Sequence, residues 1–185
     1  MQYQCGANVL ELVSGDICTQ RVDAIVNAAN EQLAAGGGVC GAIHAAAGPE
    51  LAVACNQVGH CPTGEARITP GFKLKARYVI HAVGPRWRSL NGDAQQLESA
   101  YRSTLRVASD HGITSVAFPS ISTGIFGYPL DEAATIAIRT VSQFLEAQAQ
   151  ITLVRFVFMS EETFTAYRYA ARRLLASANT SIAGQ

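Results

Sequence analysis

The fold is decided by residues 26–48, which read VNAANEQLAAGGGVCGAIHAAAG. An apolar run over residues 22–26 precedes the three glycines and predicts a strand. A helix of small residues is predicted over residues 39–47, ended by Gly48 and Pro49. Glycine lacks a Cβ, so its backbone N–H groups can turn toward one point, and N–H groups at a helix N-terminus bind phosphate. The stretch is therefore interpreted as a phosphate-binding loop beside a polar pocket.

Residues 36–41 also satisfy the pattern G-x-G-x-x-G of dinucleotide-binding folds. That pattern should follow its strand directly, whereas nine residues separate Val26 from Gly36. A nicotinamide-dependent oxidoreductase is therefore the least supported function. The glycines alone could also form a flexible surface loop, but Asn30 and the immediate helix start favour the phosphate loop.

The composition of the 185 residues is typical of a globular protein, with 49% hydrophobic and 15% charged residues. We expect one domain over residues 1–175 and a disordered tail over residues 176–185. The formal net charge is zero and no long run of lysine and arginine occurs, which argues against a nucleic-acid or membrane-surface partner. No apolar run reaches the roughly 18 residues of a membrane span.

The five cysteines have no C-x-x-C spacing, and an odd number cannot all pair. Neither a disulfide framework nor a zinc site is indicated, so we expect no metal and no cofactor. Free thiols and the lack of a secretory pattern predict a cytoplasmic protein.

Strands alternate with helices along the chain, which predicts an α/β sandwich with a largely parallel sheet. Loops that leave the carboxyl ends of parallel strands meet in one crevice, here Asp16, residues 30–40 and residues 122–126. Two phosphate-type loops suggest a diphosphate, and Asp16 could accept a hydrogen bond from an amino group such as that of adenine. A helix N-cap is the alternative for Asp16. The strands are predicted over residues 9–13, 22–26, 66–69, 78–83, 115–118 and 151–159.

Two histidines lie within predicted elements, His44 on the small-residue helix and His81 in a β-branched strand. Each is interpreted as a core histidine whose ring nitrogens are satisfied by hydrogen bonds.

Several short motifs, in the same order, resemble the macrodomain family, and most closely its MacroD-type branch of ADP-ribosyl and O-acetyl-ADP-ribose hydrolases. The likeness covers about residues 7–170. The matching segments are GDI at 15–17, VDAIVNAAN at 22–30, GGGV at 36–39, AIH at 42–44 with AAG at 46–48, CPTG at 61–64, HAVGP at 81–85 and FPSISTG at 118–124 with GYP at 127–129.

The resemblance implies a three-layer α/β/α fold around a mixed sheet of about six strands, without a metal. It implies that the ligand is ADP-ribose or one of its esters, including mono-ADP-ribosylated proteins. Asp16 would bind the adenine amino group, Ile17 would add a backbone contact, and Asn30 would bind the distal ribose. The diphosphate would lie between two loops, formed by Gly37, Gly38, Val39 and Cys40 and by Ser122, Thr123, Gly124, Ile125 and Phe126.

Three positions depart from the family pattern. Cys40 stands where the MacroD branch usually has an aspartate that orients or activates the attacking water. Phe126 stands where close relatives often have tyrosine, so the stacking face is kept and a hydroxyl is lost. Met159 falls where an aromatic residue near adenine is expected, and Phe158 is its candidate replacement.

The leading hypothesis is hydrolysis of an ester on the distal ribose, with Asn30 and Cys40 as the catalytic positions and a phosphate of the ligand polarising the water. The alternative is a reader that binds ADP-ribose without turnover, which the replacement at Cys40 favours. A nucleophilic Cys40 is a third idea, since a helix N-terminus can lower a thiol pKa. No histidine is placed by the sequence to serve as its base.

Overall fold

The computed structural model of the chain describes residues 1–175, so the predicted tail lies outside the described residues. Within them, seven strands form one sheet in the order β1-β2-β7-β6-β3-β5-β4. The strands are β1 (Gln2–Cys5), β2 (Asn8–Ser14), β3 (Ala24–Ala28), β4 (Ala66–Pro70), β5 (Tyr78–Ala82), β6 (Ser115–Phe118) and β7 (Leu153–Phe158). The helices are α1 (Gly38–Ala47), α2 (Glu50–Val58), α3 (Asp93–Asp110), α4 (Leu130–Ala147) and α5 (Glu161–Leu175).

The five central strands, β2, β7, β6, β3 and β5, are parallel to one another. The two edge strands, β1 and β4, are antiparallel to their neighbours. The mixed, largely parallel sheet is thus confirmed. The sequence missed β1, because four residues are too short for an alternating pattern to stand out. It is held by pairing with β2, from Gln2 opposite Glu11 to Cys5 opposite Asn8.

Helices cover both faces of the sheet, which confirms the three-layer sandwich. On one face, α3, α4 and α5 pack over an aromatic core that includes Phe118, Phe156 and Tyr167. The apolar side of α3, formed by Leu97, Tyr101, Leu105 and Ala108, is fully buried there. On the other face, α1 and α2 bury smaller side chains such as Ile43, Leu51 and Cys55.

No single helix in residues 1–175 has the length and apolarity needed to cross a membrane. The helices α1 and α2 meet such a criterion only when joined, and a bend of 115° separates them.

Candidate functional site

A cleft of about 570 Å³ opens where the five parallel strands end. Its lining comes from the segments that follow β2, β3, β5, β6 and β7, because parallel strands present their carboxyl ends at one edge of the sheet. The structure brings all the sequence-predicted site residues together in this cleft. They are Asp16, Ile17, Asn30, Gly37, Gly38, Val39, Cys40, Ser122, Thr123, Gly124, Ile125 and Phe126.

Residues 36–40, here called the glycine loop, comprise the two residues before α1 and its first three residues. Gly38 is the first residue of α1 and has a φ of +59°, a conformation that favours glycine. The first bond of the helical pattern runs from Gly41 N–H to the Gly37 carbonyl at 3.3 Å, so the preceding N–H groups have no partner within the helix. A Cβ on Gly37 or Gly38 would meet nothing within 4 Å. The loop therefore presents free N–H groups and the positive end of the helix dipole to open space, where an anion is stabilised.

The Asn30 side chain is held in place before any ligand arrives. Its Nδ2 donates to the Ala34 carbonyl at 2.9 Å, and the Ala34 N–H donates to its Oδ1 at 3.0 Å. A carboxamide has two N–H donors and two acceptor sites, so one of each remains after these bonds. Asn30 can therefore offer both a donor and an acceptor in a fixed orientation, which suits a pair of ribose hydroxyls.

The Cys40 thiol lies in the first turn of α1 and is only 6% exposed. Its Sγ accepts from Asn27 Nδ2 at 3.6 Å and donates to the Ala34 carbonyl at 3.7 Å. Within residues 1–175 no histidine ring is hydrogen-bonded to this sulfur. The nucleophile hypothesis therefore lacks the adjacent base that thiol activation by proton transfer needs.

The amide of Asn27 links Cys40 to His81, which is fully buried in β5. Asn27 Nδ2 lies 3.1 Å from His81 Nδ1 and can only donate, so the ring proton is on Nε2, which lies 2.9 Å from Thr69 Oγ1. Burial, with a smaller contribution from the charge of His44, lowers the pKa of His81 to about 4. The interpretation of His81 as a satisfied core histidine is confirmed.

The same interpretation of His44 is wrong. Its Nε2 is buried without a hydrogen-bond partner among the described residues, and burial lowers the pKa of the ring. The helix pattern could place His44 toward the sheet, but it could not tell whether a polar group would meet the ring there.

Residues 119–126, here called the hydroxyl loop, connect β6 to α4. Ser122 has a φ of +68°, and its carbonyl accepts from Tyr128 N–H at 2.9 Å. In the described part of the chain, the backbone N–H groups of residues 122–126 donate to no protein group. Ser122 Oγ is likewise buried without a partner there. Gly124 and Ile125 are exposed, so the N–H groups of this loop are open to the cleft and can reach a ligand with several acceptor oxygens. Because buried polar groups are normally satisfied, the unpartnered Ser122 Oγ points to a ligand as well.

Hydrogen bonds among four hydroxyl groups connect the hydroxyl loop to the core of the protein. Tyr167 OH donates to Ser120 Oγ at 3.0 Å and lies 3.2 Å from Tyr101 OH, which accepts from Ile121 N–H at 3.2 Å. Thr123 Oγ1 also donates to Ser120 Oγ, at 2.8 Å. Both tyrosines are fully buried, and burial raises the pKa of Tyr167 to about 12. The loop is thus fixed to the aromatic core of the α3–α5 face.

Asp16 lies at the opposite end of the cleft from Asn30 along the order of the strands, after β2 rather than β3. Its Oδ1 accepts from Cys18 N–H at 2.8 Å and caps a single 3-10 turn. The N-cap alternative is therefore correct, but the carboxylate is exposed and has a second oxygen, so capping is compatible with ligand binding. Phe158, 3% exposed, and Met159, 88% exposed, line the cleft as well. The Phe158 ring packs at 4.5 Å from that of Tyr167, which ties it to the core.

The sequence missed the contribution of the segment after β5, Gly84 and Arg86. A Cβ on Gly84 would overlap Ser122 Oγ and Ile121 Cγ2, so only glycine lets this segment approach the hydroxyl loop. The Arg86 guanidinium lies 4.4 Å from the centre of the Phe126 ring, a cation–π contact. The signal was available, because the predicted strand before Gly84 is parallel to its neighbours and must end at the same edge.

A second cavity, of about 620 Å³, continues the cleft beyond Asn30 and Phe126. We call it the outer cavity. Gly84 and Arg86 also border both spaces. The described residues contain no group of three or more histidine, cysteine, aspartate or glutamate side chains arranged to hold a metal ion.

Comparisons with known proteins agree with this geometry. A family model described as Macro domain matches residues 26–137. A protein of Klebsiella pneumoniae (strain 342) named O-acetyl-ADP-ribose deacetylase is 52% identical over 174 residues, which cover 90% of this chain and 96% of that protein. The solved Oceanobacillus iheyensis macrodomain with ADP is 42% identical, with a TM-score of 0.92 over 96% of this chain and 97% of that one. The Trypanosoma brucei macrodomain in complex with ADP-ribose is 40% identical, with a TM-score of 0.83 over 88% of this chain and 68% of that one.

Proposed function

The chain belongs to the macrodomain family, and we propose that it binds ADP-ribose and hydrolyses an ester on the distal ribose. The ester would join the ribose to an acidic side chain of a mono-ADP-ribosylated protein or to an acetyl group. The relative named O-acetyl-ADP-ribose deacetylase supports this class of reaction. The neighbours solved with ADP and with ADP-ribose support the ligand.

One observation carries the proposal: two rows of backbone N–H groups, which have no hydrogen-bond partner within residues 1–175, border the same cleft, with a carboxylate near one end and a fixed carboxamide near the other. The diphosphate would lie between the glycine loop and the hydroxyl loop. Asp16 would accept from the adenine amino group, and Asn30 would bind the hydroxyls of the distal ribose. Backbone donors explain how a chain of zero net charge could hold a dianionic group.

The proposed reaction consumes one water. Its oxygen adds to the ester carbonyl carbon while one of its protons passes to a phosphate oxygen of the ligand. The bond between the acyl carbon and the ribose oxygen then breaks, the ribose oxygen takes up that proton, and ADP-ribose and a free carboxylic acid are released. Asp16 is the only acidic residue among the described residues that line the cleft, and it belongs to the adenine end. Because the glycine loop carries Cys40 and no carboxylate, the ligand's own phosphate is the group best suited to polarise the water. The loss of a positioned base typically costs about 10²–10⁴-fold in rate, so we expect slow turnover.

Binding without turnover is the second candidate, and the thiol of Cys40 is the observation that favours it. Two measurements distinguish the candidates: calorimetry with ADP-ribose, and release of ADP-ribose from a glutamate-modified protein or of acetate from O-acetyl-ADP-ribose. Release that Asn30→Ala abolishes, and that the exposed control Asn56→Ala keeps, would support hydrolysis. Micromolar binding with no release at high protein concentration would identify a reader. No binding would contradict both.

A further inference from the structure

The outer cavity begins where the proposed ester would lie. Asn30 and Phe126 line both the cleft and the outer cavity, so a group attached to the distal ribose at Asn30 would extend directly into this space. An acetyl group is far smaller than a cavity of about 620 Å³. A volume of this size is typical of sites that hold drug-sized groups, so the outer cavity has room for a group much larger than an acetyl, such as several side chains of a polypeptide.

Two arginines and two carboxylates border the outer cavity, and they differ in how accessible they are to a ligand. Arg86 and Arg88 are exposed. Of the two carboxylates, Asp93 is only 4% exposed, and its Oδ2 accepts from the N–H groups of Arg88 and Leu90 at 2.9 and 3.2 Å. Glu31 Oε1 accepts from both the N–H and the hydroxyl of Thr63, at 3.0 and 2.9 Å. Asp93 and one oxygen of Glu31 are thus occupied by protein donors, while the other oxygen of Glu31 lies 4.0 Å from His60 Nε2 on a side chain that is 44% exposed. The guanidinium groups of Arg86 and Arg88 are exposed and accessible to an incoming anion, although Glu31 is near enough to Arg88 for their charges to interact.

The two arginines have different roles in this arrangement. Arg86 stacks on Phe126 and lines both spaces, so it belongs to the partition between them. Arg88 lines the outer cavity and does not line the cleft. Its accessible fork of donors suits bidentate recognition of a carboxylate.

A nucleic acid fits the lining less well than a polypeptide. Sites for single strands stack bases on exposed aromatic faces. Phe126 is the only aromatic residue among the described residues that line the outer cavity, and the guanidinium of Arg86 lies over its ring. The neighbouring Trp87 ring packs against Tyr128 at 4.7 Å instead.

We propose that the outer cavity binds the polypeptide that carries the ester, and that Arg88 pairs with a carboxylate next to the modified side chain. The inference rests on the proposed function, since it places the ester at Asn30. It makes the preferred substrate a mono-ADP-ribosylated acidic segment of protein rather than O-acetyl-ADP-ribose. Arg88 would act as a specificity residue and would leave the chemistry of the cleft unchanged.

The test compares four substrates: a peptide with ADP-ribose on one glutamate and aspartates on both sides, the same peptide with lysines in place of those aspartates, O-acetyl-ADP-ribose, and a mono-ADP-ribosylated oligonucleotide. The variant is Arg88→Glu, and the matched control is Arg106→Glu, a charge reversal at an exposed position of α3. We expect Arg88→Glu to lower kcat/KM for the acidic peptide about tenfold, the scale of one lost charge-assisted contact. The value for O-acetyl-ADP-ribose and the Kd for ADP-ribose should stay within a factor of two.

If Arg88→Glu lowered kcat/KM equally for the acidic peptide and for O-acetyl-ADP-ribose, the proposal would be overturned. It would also be overturned if kcat/KM fell for neither substrate. A loss seen only with a mono-ADP-ribosylated oligonucleotide would assign the cavity to a nucleic acid and overturn it as well. If no substrate is turned over, the proposed hydrolysis fails, and calorimetry still tests the cavity. In that case the acidic peptide should bind more tightly than ADP-ribose, and Arg88→Glu should remove the difference.

Discussion

The glycine loop and the hydroxyl loop offer the same kind of donor but are built differently. The glycine loop follows β3 and gains its conformation from the absence of side chains, with open space around Gly37 and Gly38. The hydroxyl loop follows β6 and is held by side chains, through the bonds that link Ser120, Tyr167 and Tyr101. One loop is free to adjust to a ligand, whereas the other is fixed in advance by the core.

The groups beneath the two loops also titrate at opposite ends of the pH scale. His81, linked through Asn27 to Cys40, has a pKa lowered to about 4, whereas burial raises the pKa of Tyr167 to about 12. Acid should therefore weaken the support of the glycine loop, and only strong alkali should weaken that of the hydroxyl loop. Four changes test this difference between the two loops.

The largest effect is expected from acid. The pKa of a histidine in the unfolded chain is 6.5, so this side chain is protonated in the unfolded chain below that pH. In the folded protein, His81 becomes protonated only at about pH 4. The stability contributed by neutral His81 is thus present above pH 6.5 and is lost as the pH falls toward 4. At 1.36 kcal/mol per pH unit, the loss is about 3 kcal/mol. Urea unfolding at several pH values measures it.

The matched variants for this prediction are His81→Gln and His111→Gln, the latter at an exposed position after α3. In His81→Gln, the free energy of unfolding should change less between pH 6.5 and pH 4 than it does in the original protein, even if the substitution lowers stability at every pH. Burial also lowers the pKa of His44, so the free energy of unfolding of His81→Gln should still fall somewhat as the pH falls. An unchanged slope in His81→Gln would mean that another group controls acid unfolding.

The second effect comes from Gly84→Ala, which pushes a methyl group into Ser122 and Ile121. Overpacking of this kind costs about 1–3 kcal/mol, and here it should displace the hydroxyl loop. We expect the Kd for ADP-ribose to rise about tenfold to a hundredfold, measured by calorimetry. Gly92→Ala is the control, because a Cβ there meets nothing within 4 Å and its φ is not positive. Equal affinity in both variants would show that the approach of Gly84 to the loop is unimportant.

The third effect concerns the chemistry at the glycine loop. Cys40→Asp places a carboxylate where Asn27 Nδ2 already donates to the sulfur, so the new group would be partnered. We expect kcat to rise about tenfold, part of the 10²–10⁴ that a positioned base can supply. Cys40→Ser should keep the original rate, because a thiol without an adjacent base is not the nucleophile. Loss of activity in Cys40→Ser would support Cys40 as the nucleophile. An unchanged rate in Cys40→Asp would mean that the ligand's phosphate polarises the water well enough without a carboxylate.

Local patterns were enough to predict most of the sheet and both loops. Buried parallel strands are nearly continuous apolar runs, and glycines before a helix mark an anion site, so β3 and residues 36–40 could be predicted from the sequence. The strand predicted over residues 22–26 lies two residues further along the chain, at Ala24–Ala28. The sequence left two interpretations of Asp16 open, because capping and ligand binding favour the same residue type after the same strand. The bond from Cys18 N–H to Asp16 Oδ1 shows that Asp16 caps a turn, and its exposed second oxygen leaves ligand binding a prediction.

The outer cavity and the hydrogen bonds among the hydroxyl groups depend on contacts between distant parts of the sequence. Glu31 and Thr63 are 32 residues apart, and Tyr101 and Tyr167 are 66 apart. A helical pattern can assign both tyrosines to the core, but it does not predict that their hydroxyls meet beneath Ser120. Such pairings are set by how the helices cross the sheet, so sequence patterns within one element cannot reveal them.

The smallest effect, Tyr167→Phe, tests whether the hydroxyl loop really is fixed in advance. The variant keeps the ring contacts with Phe156 and Phe158 and removes only the bonds to Ser120 Oγ and Tyr101 OH. Stability should fall by about 1 kcal/mol, and the Kd for ADP-ribose should rise a few-fold, because the freed loop must be ordered on binding. Tyr169→Phe is the matched control, since Tyr169 is 67% exposed on the same helix. If Tyr167→Phe lowers stability without changing the Kd, the buried hydroxyls stabilise the core alone, and the two loops are equally free to adjust.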